Sequence, residues 1–141
     1  MIMIVNAQGL VAGRLASKVA KQAINGESII VVNAEKVVLV GKKSAVMPKF
    51  EQRRDAGVKS NPHYGPKYDR VPSKMFRRMV RGMLPNKKTA SERLLKKIKV
   101  YNSVPKELLG KEMQNMDDIK CNEKHDFMTL AEVAQLLGGK W

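Results

Sequence analysis

At 141 residues the chain has the length of one domain, and its 43% hydrophobic content supplies a core that needs no disulfide or metal staple. Lys and Arg total 27 against 13 Asp and Glu, a formal charge of +14 that exceeds what solubility requires and points to a polyanionic partner. A single cysteine, Cys121, excludes an intrachain disulfide and fits a reducing, cytoplasmic compartment, while the apolar start Ile2 to Val5 is too short for a signal peptide or a membrane span, so a soluble protein with no membrane span is expected.

In chain order, Ile2 to Asn6 reads as a short buried strand that stops at Gln8-Gly9. Ala12, Leu15, Ala16, Val19, Ala20 and Ala23 recur at three- and four-residue steps, with Arg14, Lys18 and Lys21 on another face, which predicts a helix closed by Asn25-Gly26. Ser28 to Val32 is a β-branched run fitted to a strand covered on both sides, and it completes a βαβ unit. Val37 to Val40 is a third strand, broken by Gly41. A basic helix is expected from Lys42 to Arg54, with Lys42, Val46, Lys49 and Arg53 in one row. Between residues 57 and 72, Gly57, Pro62, Gly65, Pro66 and Pro72 forbid regular structure and predict a long extended loop. Ser73 to Arg81 returns to helical spacing until Gly82 and Pro85 stop it. Thr89 to Glu92 reads as a capping box for a helix that turns Leu94, Leu95 and Ile98 inward, and Lys99 to Tyr101 is a fourth strand. Residues 102 to 127 read as irregular. Thr129 to Glu132 is a second capping box, and Leu130, Val133, Ala134 and Leu137 make one apolar stripe before Gly138-Gly139 ends the last helix. These elements together describe an α/β layer fold.

The charge is concentrated. Residues 41 to 100 carry eighteen basic groups against Glu51, Asp55, Asp69 and Glu92, a net of +14, whereas residues 1 to 40 hold +2 and residues 101 to 141 hold −2. A solvated exterior would mix both signs along the chain, so the asymmetry marks an interaction surface. Its densest part is the helix from Ser73 to Arg81, where Lys74, Arg77, Arg78 and Arg81 line one face and Met75, Phe76, Met79 and Val80 the other. Like charges so close repel one another; a phosphate partner removes that cost, and arginine's planar fork bridges two phosphate oxygens. After the helix, Gly82 admits a close ligand and a backbone reversal, Met83 and Leu84 can plug into the core, and Pro85 fixes the exit toward Lys87 and Lys88. The loop tip from Asn61 to Pro66 presents His63 and Tyr64 for stacking on an unpaired base, the other reading of Tyr64 being a loop anchor. Arg14 and Lys18 in the first helix, Lys42, Lys43, Lys49, Arg53 and Arg54 in the second, and Lys67 and Arg70 in the loop complete the candidate nucleic-acid contacts.

Other chemistry fits poorly. Gly41-Lys42-Lys43-Ser44 lacks both the glycine of a phosphate-binding loop, Lys36 standing in its place, and the hydroxyl residue directly after the lysine, Lys43 standing there. The first strand-to-helix turn has Gly9 and Gly13 without a dinucleotide fingerprint. Cys121 and His125 are spaced like two metal ligands, but His63 is the only other histidine, too few for a structural zinc site. No nucleophile is isolated by its neighbours, and no enzyme is expected.

Gly13-Arg14-Leu15-Ala16-Ser17, Val31-Val32-Asn33-Ala34-Glu35-Lys36, Asn61-Pro62 with Gly65-Pro66, and above all Val80-Arg81-Gly82-Met83-Leu84-Pro85 resemble the universal L-thirteen family of large-subunit ribosomal proteins, over about residues 3 to 105. The short N-terminus and the acidic tail after Pro105 are similar to the archaeal branch, while Ala90-Ser91 and Ser103 stand where the family often has glycine. The resemblance implies a three-layer α/β/α fold with a four-stranded parallel sheet, carrying the basic helices and the long loop. It implies a structural protein without catalysis or cofactor that binds large-subunit ribosomal RNA and supports early subunit assembly. On this view residues 1 to 105 are the family core of one domain, and 106 to 141 an acidic extension with a terminal helix that touches neighbouring large-subunit proteins. The residues alone also admit a small nucleotide-dependent α/β enzyme or a non-ribosomal domain that binds DNA or anionic membranes.

Overall fold

The computed structural model describes residues 2–85, 88–122 and 124–141. β1 (Ile2–Asn6) leads through a turn at Gly9, whose φ of 71° suits glycine, into α1 (Ala12–Ile24) and back into β2 (Ser28–Val32). The two strands run parallel, from Ile2 opposite Ser28 to Asn6 opposite Val32. α1 buries all six of its predicted apolar positions, four of them alanines whose small side chains let the helix lie close to its neighbours.

β2 explains its own composition. Ile29 and Val31 point into the main core with α1, whereas Val32 and Ile30 face a second cluster with Ile4, Leu108, Val104 and Met113. A strand apolar on both faces cannot alternate with polar residues, so it reads as a continuous β-branched run. β4 (Ile98–Val100) lies on its other side, with Ile29 opposite Ile98, giving a three-stranded parallel sheet of order β1-β2-β4.

The expected four-stranded parallel sheet is therefore corrected. β3 (Val38–Val40) leaves this sheet and pairs antiparallel with β5 (Phe127–Thr129), Val38 facing Thr129 and Val40 facing Phe127. Two causes combine. β2 already has β1 on one edge and β4 on the other, and its exit is bent away by Asn33 in the left-handed region (φ 58°) and a 3-10 turn at Ala34–Lys36. The free edge of β1 is taken by Gln114, which accepts from the Asn6 amide at 3.2 Å and donates to the Ile4 carbonyl at 2.8 Å. The layer arrangement is corrected too. Val104, Leu108 and Met113, which cover the second face of the sheet, come from a stretch whose regular structure is the 3-10 turn Lys106–Leu108.

The remaining helices place the charge. α2 (Lys43–Asp55) buries Val46 and Met47, so the row expected to run from Lys42 through Val46 to Arg53 is split, with Lys49 and Arg53 exposed. α3 (Pro72–Gly82) starts at Pro72, which belongs to the helix and not to the loop, because a first helical residue has no intrahelical amide bond to lose. α4 (Lys88–Lys96) takes Thr89 into its interior, so the capping box expected there does not open it. α5 (Leu130–Leu136) has the expected box: the Thr129 amide donates to Glu132 Oε2 at 3.1 Å and the Glu132 amide to Thr129 Oγ1 at 3.3 Å. Its Leu130, Val133, Ala134 and Leu137 are buried in the main core. The helix ends with Gly139 and Gly138 amides donating to Ala134 and Gln135 carbonyls at 2.8 and 2.9 Å, a Schellman closure with Gly138 at φ 82°.

Candidate nucleic-acid interface

α3 is anchored from within by Met75, Phe76 and Val80, all buried, with Met79 half-buried. The helical period then turns Lys74, Arg77, Arg78 and Arg81 to solvent, and all four are exposed. They are not equally free. Lys74 Nζ lies 3.4 Å from Asp69 Oδ1. Arg77 Nη2 donates to the Leu95 carbonyl at 3.0 Å, and Arg78 Nη1 to the Lys67 carbonyl at 3.3 Å with its guanidinium 3.9 Å over the Tyr68 ring. Arg81 makes no hydrogen bond or ion pair among the described residues. The four cations surround a shallow depression of about 320 Å³ in which Asp69 is the lone carboxylate.

Across the crest formed by Lys74 and Arg78 lies a more enclosed cavity of about 410 Å³ between α2, α3, residues 68–70 and the end of α5. Phe50, Met75, Met79 and Leu137 give it apolar walls, and Arg53, Arg54 and Arg70 join the two crest cations around it. Arg53 sits 5.8 Å from the centre of the Phe50 ring. Arg54 Nε donates to Asp55 Oδ1 at 2.8 Å; this bond raises the guanidinium pKa and holds the Asp55 carboxyl below the usual carboxylate range. The structure thus joins the last turn of α2, the loop and α3, which are separate in the sequence, into one cationic face.

Residues 1–107 match the family model for Ribosomal protein L13. The chain belongs to this ribosomal protein family. Relatives of similar sequence are the large ribosomal subunit proteins uL13 of Methanosphaera stadtmanae, 42% identical over the whole of both chains, and of Archaeoglobus fulgidus, 40% identical over 96% of this chain and 86% of that one. The corresponding protein of Methanocaldococcus jannaschii is 39% identical over 98% of each. The family match holds every candidate contact, while α5 and β5 lie beyond it and within the length shared with these archaeal relatives.

Other candidates of this L13 family member fall elsewhere. Lys42 and Lys43 stand at the opposite end of α2 from the cavity, Lys43 beside Met128, Glu132 and Leu136. Lys49 is exposed on α2, Lys67 in the loop, and Arg14 on α1. Lys18 forms an ion pair with Asp118, whose carboxyl it lowers in pKa chiefly by hydrogen bonding. In the loop, Asn61 Oδ1 accepts from the His63 amide at 3.2 Å and starts a 3-10 turn, Pro62–Tyr64. Tyr64 is 80% exposed, so it is not a loop anchor; its ring meets His63 edge to face at 6.0 Å. Gly65 closes the loop neck, since a Cβ there would lie 3.0 Å from the Gly57 Cα. Lys87 lies outside the described residues, and Lys88 is the first residue of α4.

Gly82 is the last residue of α3 and has no positive φ, so it does not make the expected reversal. Leu84 is buried as expected, but Met83 is exposed, its Sδ 3.4 Å from Ser17 Oγ. The Gly41 amide donates to the Asp126 carbonyl at 2.8 Å and is not available to a phosphate. Sequence reasoning passed over Tyr68, Asp69, Phe50 and Leu137. Tyr68 and Asp69 sit in a stretch without periodicity, where nothing shows that Arg78 and Lys74 will fold over them. The one available sign was an acid embedded in a basic run.

Proposed function

We propose that this chain is a structural constituent of the large ribosomal subunit that grips ribosomal RNA by its phosphates and joins the particle early in assembly. The observation that carries the reading is the exposed α3 face, where Lys74, Arg77, Arg78 and Arg81 surround one depression and the cations of α2 and Arg70 continue the track. Two arginines are pre-set by backbone carbonyls and Arg81 has no partner among the described residues, so forks are held in place for a backbone that carries a charge at every nucleotide. His63 and Tyr64, on the exposed turn, offer rings for stacking on an unpaired base. Exposed Leu109, Phe127, Leu136 and Trp141 support contact between residues 106–141 and neighbouring large-subunit proteins. The test is binding to large-subunit RNA over a salt series. With roughly eight phosphates neutralised, log affinity falls against log salt with a slope of about −6 to −7. A flat dependence defeats the reading.

A further inference from the structure

We propose that the cavity between α2, α3 and the end of α5 receives one unpaired nucleobase of the bound RNA. This deepens the RNA-binding reading and rests on it. Its volume, about 410 Å³, is in the range of small-molecule sites, and its walls are apolar at Phe50, Met79 and Leu137. Five cations stand around it; Lys74 faces Asp69 and Arg54 pairs with Asp55, while Arg53, Arg70 and Arg78 form no ion pair among the described residues. A flat apolar body attached to an anion matches that combination, and a nucleotide is such a body. An apolar side chain of a protein partner would fill the walls but leave the cationic rim unanswered.

Position strengthens the assignment. Asp69, Lys74 and Arg78 line both this cavity and the α3 depression, so a strand whose phosphates follow the α3 face passes the cavity mouth. Gly82 lines the cavity, and a Cβ added to it would meet nothing within 4 Å, which leaves room for a sugar. The walls are formed before the ligand arrives. Arg78 clamps Tyr68 and the Lys67 carbonyl, and the glycine closure of α5 sets Leu137 beside Arg70. Preorganisation of this kind lowers the entropy lost on binding, and methionine in the wall adapts to either a purine or a pyrimidine.

The test compares the wild-type chain with Gly82→Trp, which fills the cavity, and Phe50→Ala, which removes a wall, each checked for folding by circular dichroism. Large-subunit ribosomal RNA is bound and its unpaired bases are probed chemically. The wild-type complex protects one unpaired base that both variants leave reactive. Affinity falls roughly 5- to 150-fold, the range of one lost base stack, while the salt slope stays near the wild-type value because no cation is removed. If Phe50→Ala is unfolded, Gly82→Trp decides alone, since a Cβ at this cavity-lining position meets nothing within 4 Å and the backbone need not shift. Unchanged base reactivity with both variants overturns the proposal, whether the cavity is then empty or holds a protein side chain. If wild-type RNA binding itself proves absent or insensitive to salt, the RNA reading fails, an outcome distinct from loss of the base contact alone.

Discussion

Arg81 and its neighbours on α3 separate binding from stability. Arg81→Ala removes a side chain with no intramolecular partner among the described residues and replaces it with a better helix former, so stability should move by no more than about 0.5 kcal/mol. On the proposed reading Arg81 makes a charge-assisted phosphate contact worth ~1.5 to 3 kcal/mol, so affinity should fall about 10- to 150-fold. The salt slope should become shallower by about 0.7 to 0.9. On the same reading Arg77→Ala and Arg78→Ala lose phosphate contacts as well, but each also breaks a bond to a backbone carbonyl, at about 0.5 to 1.5 kcal/mol. Arg78 further loses its Tyr68 stack, ~0.5 to 1 kcal/mol at an exposed site. At about 4 °C per kcal/mol, the Arg77/Arg78 double variant should melt several degrees below the wild type while the Arg81 variant does not. Anisotropy titration of labelled large-subunit RNA and calorimetric melting give the two readouts. An Arg81 variant with unchanged affinity and slope would refute the assignment of this face to phosphate; one that melts as low as the double variant would show that the stripe is structural.

Leu130→Ala, at a position with no exposure in the main core, should destabilise the isolated protein by about 2 to 5 kcal/mol in a denaturant titration, which shows α5 packing on its own chain. Gly139→Ala should destabilise by about 1 to 3 kcal/mol or more, because its Cβ would sit 2.2 Å from the Arg70 carbonyl oxygen, and the melting temperature reports it. Asp118 should titrate below the ordinary aspartate value by NMR, and Lys18→Met should return it there. The sign follows: with a folded pKa below the unfolded one, this pair stabilises above the ordinary carboxylate range and is lost as pH falls through the folded value.

Local pattern decided much of this protein. β1, α1, β2 and α5 have the periods and caps that the chain displays, since a helical stripe, a β-branched run and a Thr-x-x-Glu box are set by residues a few positions apart. The exposure of Lys74, Arg77, Arg78 and Arg81 follows from the same arithmetic. The partner of β3 did not, because Val38–Val40 and Phe127–Thr129 meet across well over half of the chain, and pairing depends on which edges other strands have already taken. The cavity is also a product of packing. Phe50, Tyr68, Met79 and Leu137 converge from four segments, and Gly139 lets the end of α5 close against Arg70; no one segment carries a pattern for that meeting. Composition supplied the sign and size of the charge, but only the tertiary structure decided which cations are free, which are held by carbonyls and carboxylates, and which stand around one hollow.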